Sequence, residues 1–273
     1  MADACLRAGR HYLDITGEIP VFEALAARDA EARARGVMLL PGVGFDVVPS
    51  DCLAVHVARR LPGATHLELC IASLGGLSHG TALTSLEQFE GVAVERVDGK
   101  LTTSPLGKHL RAFDFGDGKV RMGVGAPLGD VSTAYRSTGV ANLRVALALP
   151  SRLRRMVKLA PLFAPLLRTG PVARLARSMV KSGGPDAAAR ARGKSAVYAE
   201  ARTDDGRLVA ARLDGPEAYS LTVDCALLCA ARVLAGAAPP GFQTPAMAYG
   251  PELVLEAPGV TRVDLPAAPQ EPR

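Results

Sequence analysis

The sequence predicts an α/β fold: part of a parallel sheet over residues 1–63, then an α+β domain with a mostly antiparallel sheet over 64–214. Helical and strand patterns alternate up to residue 61, which favours parallel strands joined by crossover helices. From residue 64 the apolar period changes to two, and Asp-Gly pairs separate the runs as in antiparallel hairpins. A composition of 48% apolar and 22% charged residues is that of a globular chain.

Glycines and prolines set the predicted bounds of the first part. Gly17 ends a β-prone run, and Pro20 stands at a favoured first helical position. Gly36 ends the helix that follows, and the next run is wholly apolar, which is typical of a strand buried on both faces. The predicted elements are a helix at 3–9, a strand at 11–16, a helix at 20–35, a strand at 37–41 and a helix at 50–61 with Ser50 as N-cap.

The second part is predicted as strands, hairpins and one long helix. Asp-Gly pairs at 98–99, 117–118 and 205–206 lie between β-prone flanks, as hairpin turns do. An apolar stripe at helical spacing predicts a helix over 217–235 within a C-terminal region, 215–265, and the Pro-rich tail 266–273 is expected to be disordered. The predicted strands are 66–73, 91–97, 119–124, 133–148, 196–202 and 207–213.

Two loops follow the parallel strands and should therefore lie at one edge of their sheet. These loops, 14–18 and 41–51, carry glycines and carboxylates, and ligands bind at that edge in open α/β sheets. The glycines allow a close backbone approach to a ligand. The alternative is structural: Gly17 makes a turn, Glu18 complements a helix start, and Ser50 and Asp51 cap the next helix.

Positive charge is concentrated in one segment. Residues 152–181 carry eight Lys and Arg and no Asp or Glu, so the rest of a chain of net charge +5 is negative. With an aromatic content of only 4% and no Trp, this pattern argues against a nucleic-acid-binding surface. A basic helical segment over 151–182 is expected either to pack on its own domain or, through 151–181, to contact an anionic membrane peripherally.

Four stretches of the sequence are informative together: CLRAGRHYLDITGE (5–18), GVGFDVVPSD (42–51), SHGTALT (78–84) and TPAMAYG (244–250). These stretches resemble the saccharopine dehydrogenase-like oxidoreductases, in particular the branch with trans-acting enoyl reductases of glycolipid synthesis. The first two are fairly specific together, and all four occur in family order over about 1–265.

The resemblance implies a Rossmann-type domain, of which 1–63 would be the C-terminal remnant, and a cofactor, NADP or NAD. It implies an NAD(P)H-dependent reductase with a small-molecule or lipid-like substrate, such as an enoyl lipid intermediate, and a homodimer as an expected assembly. Because the N-terminus lacks the apolar core of a signal peptide and no uncharged apolar run is long enough to span a membrane, the chain is expected in the cytoplasm or at the inner face of the plasma membrane. Asp46 is the candidate catalytic proton donor. The candidate cofactor-binding residues are Asp14, Gly17, Glu18, Gly42, Gly44 and Phe45, and the candidate substrate-binding residues are Asp51, Ser78, Gly80 and Thr81.

The family's phosphate-binding loop has no counterpart in this sequence. No G-x-G-x-x-G lies between a strand and a helix, and Gly42-Val-Gly44 has no third glycine at the required place. About two or three βα units are therefore expected to be missing before residue 1. The alternative is that the chain is a catalytically inactive, truncated paralogue that binds a partner or an apolar ligand. A third hypothesis is that the given sequence starts inside a longer enzyme.

Other catalytic patterns are weaker. Residues 76–80 fit the G-x-S-x-G elbow with Ser78 as nucleophile, but His109 is the histidine left for a triad and no HGGG motif precedes the serine. The five cysteines contain no C-x-x-C, which indicates reduced thiols, and no His, Cys and Asp spacing predicts a metal site.

Overall fold

The computed structural model describes residues 1–74, 92–149 and 192–266. Within these ranges the helices are α1 (Ala2–Ala8), α2 (Ile19–Ala26), α3 (Asp29–Ala34), α4 (Val48–Arg60), α5 (Asp130–Thr138), α6 (Ala218–Leu234) and α7 (Pro245–Tyr249), with a 3₁₀ turn at Leu253–Glu256. The strands are β1 (Tyr12–Leu13), β2 (Met38–Leu40), β3 (His66–Leu74), β4 (Val92–Val97), β5 (Lys100–Pro105), β6 (Leu110–Asp114), β7 (Val120–Gly125), β8 (Asn142–Ala148), β9 (Lys194–Arg202), β10 (Leu208–Pro216), β11 (Gly241–Phe242) and β12 (Thr261–Leu265).

A small parallel sheet has the order β1-β2-β11. Tyr12 pairs with Leu39 on one side of the central strand, and Gly241 pairs with Met38 on the other, both in parallel register. All three residues of β2 are buried, as expected of a strand covered on both faces. The predicted parallel pair is thus confirmed, and the chain returns after α6 to add β11 as a third strand.

A larger sheet has the order β12-β10-β9-β3-β8-β4-β5, and the hairpin β6–β7 joins it through β7 and β8. Its pairs are antiparallel except for β3 and β8, which run parallel. One face carries apolar side chains such as Leu69, Val145 and Val197, which pack in the main core with α4. The alternate residues of the same strands face the other side and include Glu68, Arg144 and Glu200. The mixed α/β fold with a mostly antiparallel second sheet is as the sequence predicts.

Glu23 of α2 connects the layer of the small sheet to the large one. Its carboxylate accepts hydrogen bonds from Arg96 Nη2 of β4 and Arg136 Nη2 of α5, each at 2.8 Å. Arg96 is buried and also donates to the carbonyls of Val131 and Gly99. A buried guanidinium with all these partners holds the two layers in one arrangement.

The three hairpin turns are confirmed. The Asp-Gly turns at 98–99, 117–118 and 205–206 connect β4 to β5, β6 to β7 and β9 to β10. Asp98 and Gly99 both have positive φ angles, 48° and 76°, as a type I′ turn requires.

Three local predictions are wrong. Residues 133–148 were expected to form one strand, but α5 takes the first part and only 142–148 are β. The β-branched and hydroxyl residues there suggested a strand, yet Val131 and Ala134 are buried in the core against α4, and Gly139, in the left-handed conformation, ends the helix. The predicted helix 20–35 is two short helices, and α4 starts before Ser50, whose hydroxyl donates to the Val47 carbonyl within the first turn.

Several predictions fall on residues outside those that the structure describes. These are the loop with Ser78, Gly80 and Thr81, the basic segment 151–182, and residues 267–273 of the predicted tail. Among the described helices, none is both long and apolar enough to cross a lipid bilayer. The five cysteines are free thiols.

Candidate functional site

The carboxyl ends of the three parallel strands meet at one edge, where the loops after β1 and β2 are bonded directly to each other. Val43 N donates to the Asp14 carbonyl at 2.8 Å. The Asp14 side chain accepts from Gly42 N at 3.0 Å and from Thr16 N at 2.9 Å. One carboxylate therefore orders both loops, and the predicted closeness of 14–18 to 42–46 is confirmed.

Two glycines make this close approach feasible. Gly42 has a φ of +73°, and a Cβ there would lie 2.8 Å from Val47 Cγ2. At Gly17 a Cβ would lie 3.2 Å from Asp46 Oδ2, so the first loop passes directly over the side chain of the second. Because Gly17 has no side chain, the first loop can pass this close to Asp46.

Asp46 is an exposed acid at this edge. Its residue is exposed to solvent, yet burial by the surrounding protein raises the pKa of its carboxyl group. The nearby protein atoms make the hydration of its charged form less complete than that of a free aspartate. An acid of raised pKa can carry a proton at a pH where an ordinary aspartate cannot.

Two further carboxyl groups lie behind Asp46 and are fully buried. Asp51 accepts from Ser137 Oγ at 2.5 Å and from Ala246 N at 2.9 Å. Burial raises its pKa, against hydrogen bonds that lower it. Its carboxylate joins α4 to α5 and α7, so its partners in this structure are protein groups.

Asp130, at the start of α5, is the second buried acid. Burial, with a smaller contribution from the charges of Asp46 and Asp51, raises its pKa to about 7, although a hydrogen bond from Ser50 Oγ acts to lower it. Its Oδ2 atom is buried without a hydrogen-bond partner in the part of the chain that the structure describes. Asp130 therefore keeps a substantial protonated fraction up to neutral pH, mainly because it is buried.

The remaining candidates of these loops have mainly backbone roles in the structure. Phe45 is buried in the core, and its N–H donates to Thr222 Oγ1 of α6 at 3.1 Å. A Cβ on Gly44 would meet Thr222 Cγ2 at 3.0 Å. Glu18 is exposed at the start of α2, where its carbonyl accepts from Val21 N. The loop is thus anchored to α6, with the Phe45 ring packed inward.

The described residues do not fit the pyrophosphate of a dinucleotide. A phosphate binds at a helix start through free N–H groups and positive charge. At α4, however, the first turn contains Asp51, the loop before it contains Asp46, and Asp130 lies beside Ser50. The N–H groups of Val48 and Asp51 are already bonded to the carbonyls of Gly44 and Val47. This helix start therefore offers a phosphate carboxyl groups rather than positive charge, and part of its N–H donors are already used.

No protein-family model matches the chain, and no curated protein matches it either. The fold is similar to that of apo histidine-tagged saccharopine dehydrogenase (L-Glu forming) from Saccharomyces cerevisiae, with a TM-score of 0.61 at 10% identity. The match covers 97% of this chain and 82% of that one. The chain has a saccharopine dehydrogenase-like fold. A second structure, GenD2 from gentamicin A biosynthesis in complex with NAD, matches 97% of this chain and 74% of its own at 17% identity. Its TM-score of 0.34 is too low to indicate a shared fold.

Within this saccharopine dehydrogenase-like fold, the sequence reasoning missed Asp130, Ser137 and Thr244. Asp130 and Ser137 belong to α5, most of which the sequence predicted as a strand. Thr244 caps α7 by accepting from Met247 N at 3.2 Å, and it also bonds to Asp51. The dipeptide Thr-Pro is a recognisable helix start, so this cap could have been found in the sequence. Its closeness to Asp51 could not, because the two residues are far apart in the chain.

Proposed function

We propose that the chain is an oxidoreductase of the saccharopine dehydrogenase-like class that uses NAD(P)H, with its reaction centre at the carboxyl edge of the small sheet. The reduction of a carbon–carbon double bond in a lipid intermediate is the reaction we favour, on the strength of the sequence resemblance. The single observation that carries the proposal is the position of Asp46: an exposed acid of raised pKa, at the ligand-binding edge, in a fold like that of a dehydrogenase.

Asp46 acts as the proton donor in this proposal. Reduction of a double bond requires one hydride and one proton, and a nicotinamide cofactor supplies the hydride when it is bound. Protonated Asp46 supplies the proton to the substrate atom, since a raised pKa increases its protonated fraction at a given pH. Asp14 and Gly17 act indirectly, since they hold the loop that covers Asp46.

The cofactor part of the proposal can be tested by comparing NADPH with reduced nicotinamide mononucleotide. The described residues lack a pyrophosphate cradle, so we expect the adenylate half to add little. Fluorescence titration should give weak dissociation constants, above the low micromolar range, that differ by less than about tenfold. Low micromolar NADPH binding without detectable binding of the mononucleotide would contradict the assignment of these loops. No saturable binding of either molecule would remove the oxidoreductase proposal.

The role of Asp46 can be tested by an Asp46→Asn substitution, with the same change at the exposed Asp204, Asp204→Asn, as a control. An α,β-unsaturated thioester serves as the acceptor for NADPH oxidation. We expect Asp46→Asn to lower kcat about 100-fold and to remove the loss of rate at high pH, with KM nearly unchanged. Asp204→Asn should retain the wild-type rate and pH profile. An Asp46→Asn enzyme with an unaltered profile would exclude this residue as the donor.

A further inference from the structure

On one side of strand β8 the partner strand changes along its length, and a cleft opens at the change. Near its start, Leu143 pairs with Arg96 of β4. Near its end, residues 146–148 pair with 123–125 of β7. Both partners lie on the edge of β8 that faces away from β3, so they must diverge around Arg144 and Val145. This divergence leaves a cavity of about 420 Å³, within the usual size range of small-molecule sites.

Two buried polar atoms in the lining have no hydrogen-bond partner among the described residues. Ser104 Oγ of β5 is one, and its residue is only 5% exposed. His109 Nε2, just before β6, is the other; it lies 3.4 Å from Glu95 Oε1 without forming an aligned hydrogen bond. Buried polar groups are normally bonded, and exceptions point to a water molecule, an ion or a ligand.

The fixed charges in the cleft leave an excess of positive charge. Arg111 Nη1 and Nη2 donate to Glu200 at 2.6 and 2.7 Å, and Arg111 also bonds to Glu68. Arg144 Nε donates to Glu95 at 2.6 Å. The two other cationic side chains of the lining are exposed and have no carboxylate partner in the described part of the chain; they are Lys108 and Arg202.

A second cavity, of about 190 Å³, adjoins the first. Its lining shares Glu68, Arg144 and Arg202 with the larger one, so a groove extends across this face of the sheet. Arg202 lies where the two cavities meet. A molecule longer than a single ion can therefore bind with its charged group near Arg202.

We propose that this cleft binds a small organic anion through its carboxylate or phosphate group. Lys108 and Arg202 supply the positive charge, and Ser104 and His109 supply hydrogen bonds. The inference is independent of the proposed reduction, because it concerns the face of the large sheet opposite α4 and is tested by binding alone.

Four probes distinguish the chemistry of the ligand. Succinate, butane-1,4-diol and putrescine have the same four-carbon length and carry negative, zero and positive charge, and inorganic phosphate is the second anion. We expect saturable binding of succinate or phosphate to the whole chain by calorimetry, weakened by added salt. Binding of succinate alone identifies a carboxylate site, and binding of phosphate alone identifies a phosphate site. Binding of putrescine in preference to both anions would overturn the proposal, as would no binding of either anion.

Substitutions locate the site. The double variant Lys108→Gln with Arg202→Gln should weaken binding of the anion at least tenfold, since each removes a charge-assisted contact. A matched double variant, Lys119→Gln with Arg59→Gln, removes two exposed charges away from the cleft and should bind like the wild type. A Ser104→Ala variant should weaken binding without loss of charge. Equal affinity of the two double variants would refute the assignment of the cleft.

Discussion

At the scale of single residues, the main feature is a buried aspartate with a strongly raised pKa. Asp130 is fully buried and its pKa is raised to about 7 by burial and by the nearby charges of Asp46 and Asp51. Asp130 Oδ1 accepts a hydrogen bond from Ser50 Oγ, whereas its Oδ2 atom is buried without a hydrogen-bond partner among the described residues. Ionisation would place an incompletely bonded charge in the core.

Asp130 should make the protein less stable as the pH rises. Between the ordinary pKa of an unfolded aspartate, about 4, and about 7 in the folded state, the native chain binds more protons than the unfolded one. The free energy of unfolding should therefore fall over this window by on the order of 4 kcal/mol and level off above it. Asp130→Asn should flatten this dependence. Urea denaturation from pH 4 to pH 9 measures it, with Asp224→Asn as a control that keeps the wild-type slope. An unchanged slope in Asp130→Asn would show that other groups cause it.

Among the secondary-structure elements, α4 has the central position. It follows β2 of the small sheet and packs on β9 and β10 of the large one. Its buried residue Asp51 accepts hydrogen bonds from α5, through Ser137 Oγ, and from α7, through Ala246 N. Because the carboxylate has two acceptor oxygens, one side chain on α4 can bond to two other helices. This arrangement also sets the position of the loop with Asp46, which directly precedes α4.

Replacing Asp51 should separate the contributions of these contacts. In Asp51→Asn one acceptor becomes an NH₂ donor facing another donor, so a buried group loses its bond and the free energy of unfolding should fall by about 2 kcal/mol. Ser137→Ala removes a single hydrogen bond and should cost only about 1 kcal/mol. Urea midpoints at constant pH give both values. If Asp51→Asn is as stable as the wild type, the three helices are held by apolar packing alone.

At the scale of the whole molecule, charge is distributed unevenly along the chain. Residues 152–181 carry +8, so the remainder carries −3. The segment lies outside the described residues, and its contact with a membrane stays a prediction from the sequence. A basic residue near an anionic surface contributes about 1 kcal/mol, so three or four of them would give a weak, measurable attraction.

This attraction should appear in vesicle co-sedimentation. We expect the protein to pellet with anionic but not with neutral vesicles, and less so in high salt. Changing Arg154, Arg155 and Lys158 to Glu should reduce binding. A variant with the same change of net charge elsewhere, at Arg7, Arg59 and Lys119, should bind more strongly than that triple variant. Equal recovery in the supernatant with and without anionic vesicles would exclude a membrane contact.

The sequence by itself determined the features that depend on near neighbours in the chain. The Asp-Gly turns, the wholly apolar β2, and the apolar stripe of α6 were predictable because turn geometry and burial act over a few residues. The closeness of the loops after β1 and β2 was predictable as well, since parallel strands place their carboxyl ends at one edge.

Only the tertiary structure decided the features that depend on distant residues. Residues 130–138 are helical because the core favours a helix against α4, which outweighs their weak local preference for a strand. The closeness of Asp130 to Ser50, 80 positions earlier, and of Ala246 to Asp51 follows from packing. The cleft at Arg144 lies where the partner on one side of β8 changes from β4 to β7. Which strands pair depends on the whole sheet, so no local sequence pattern predicts this cleft.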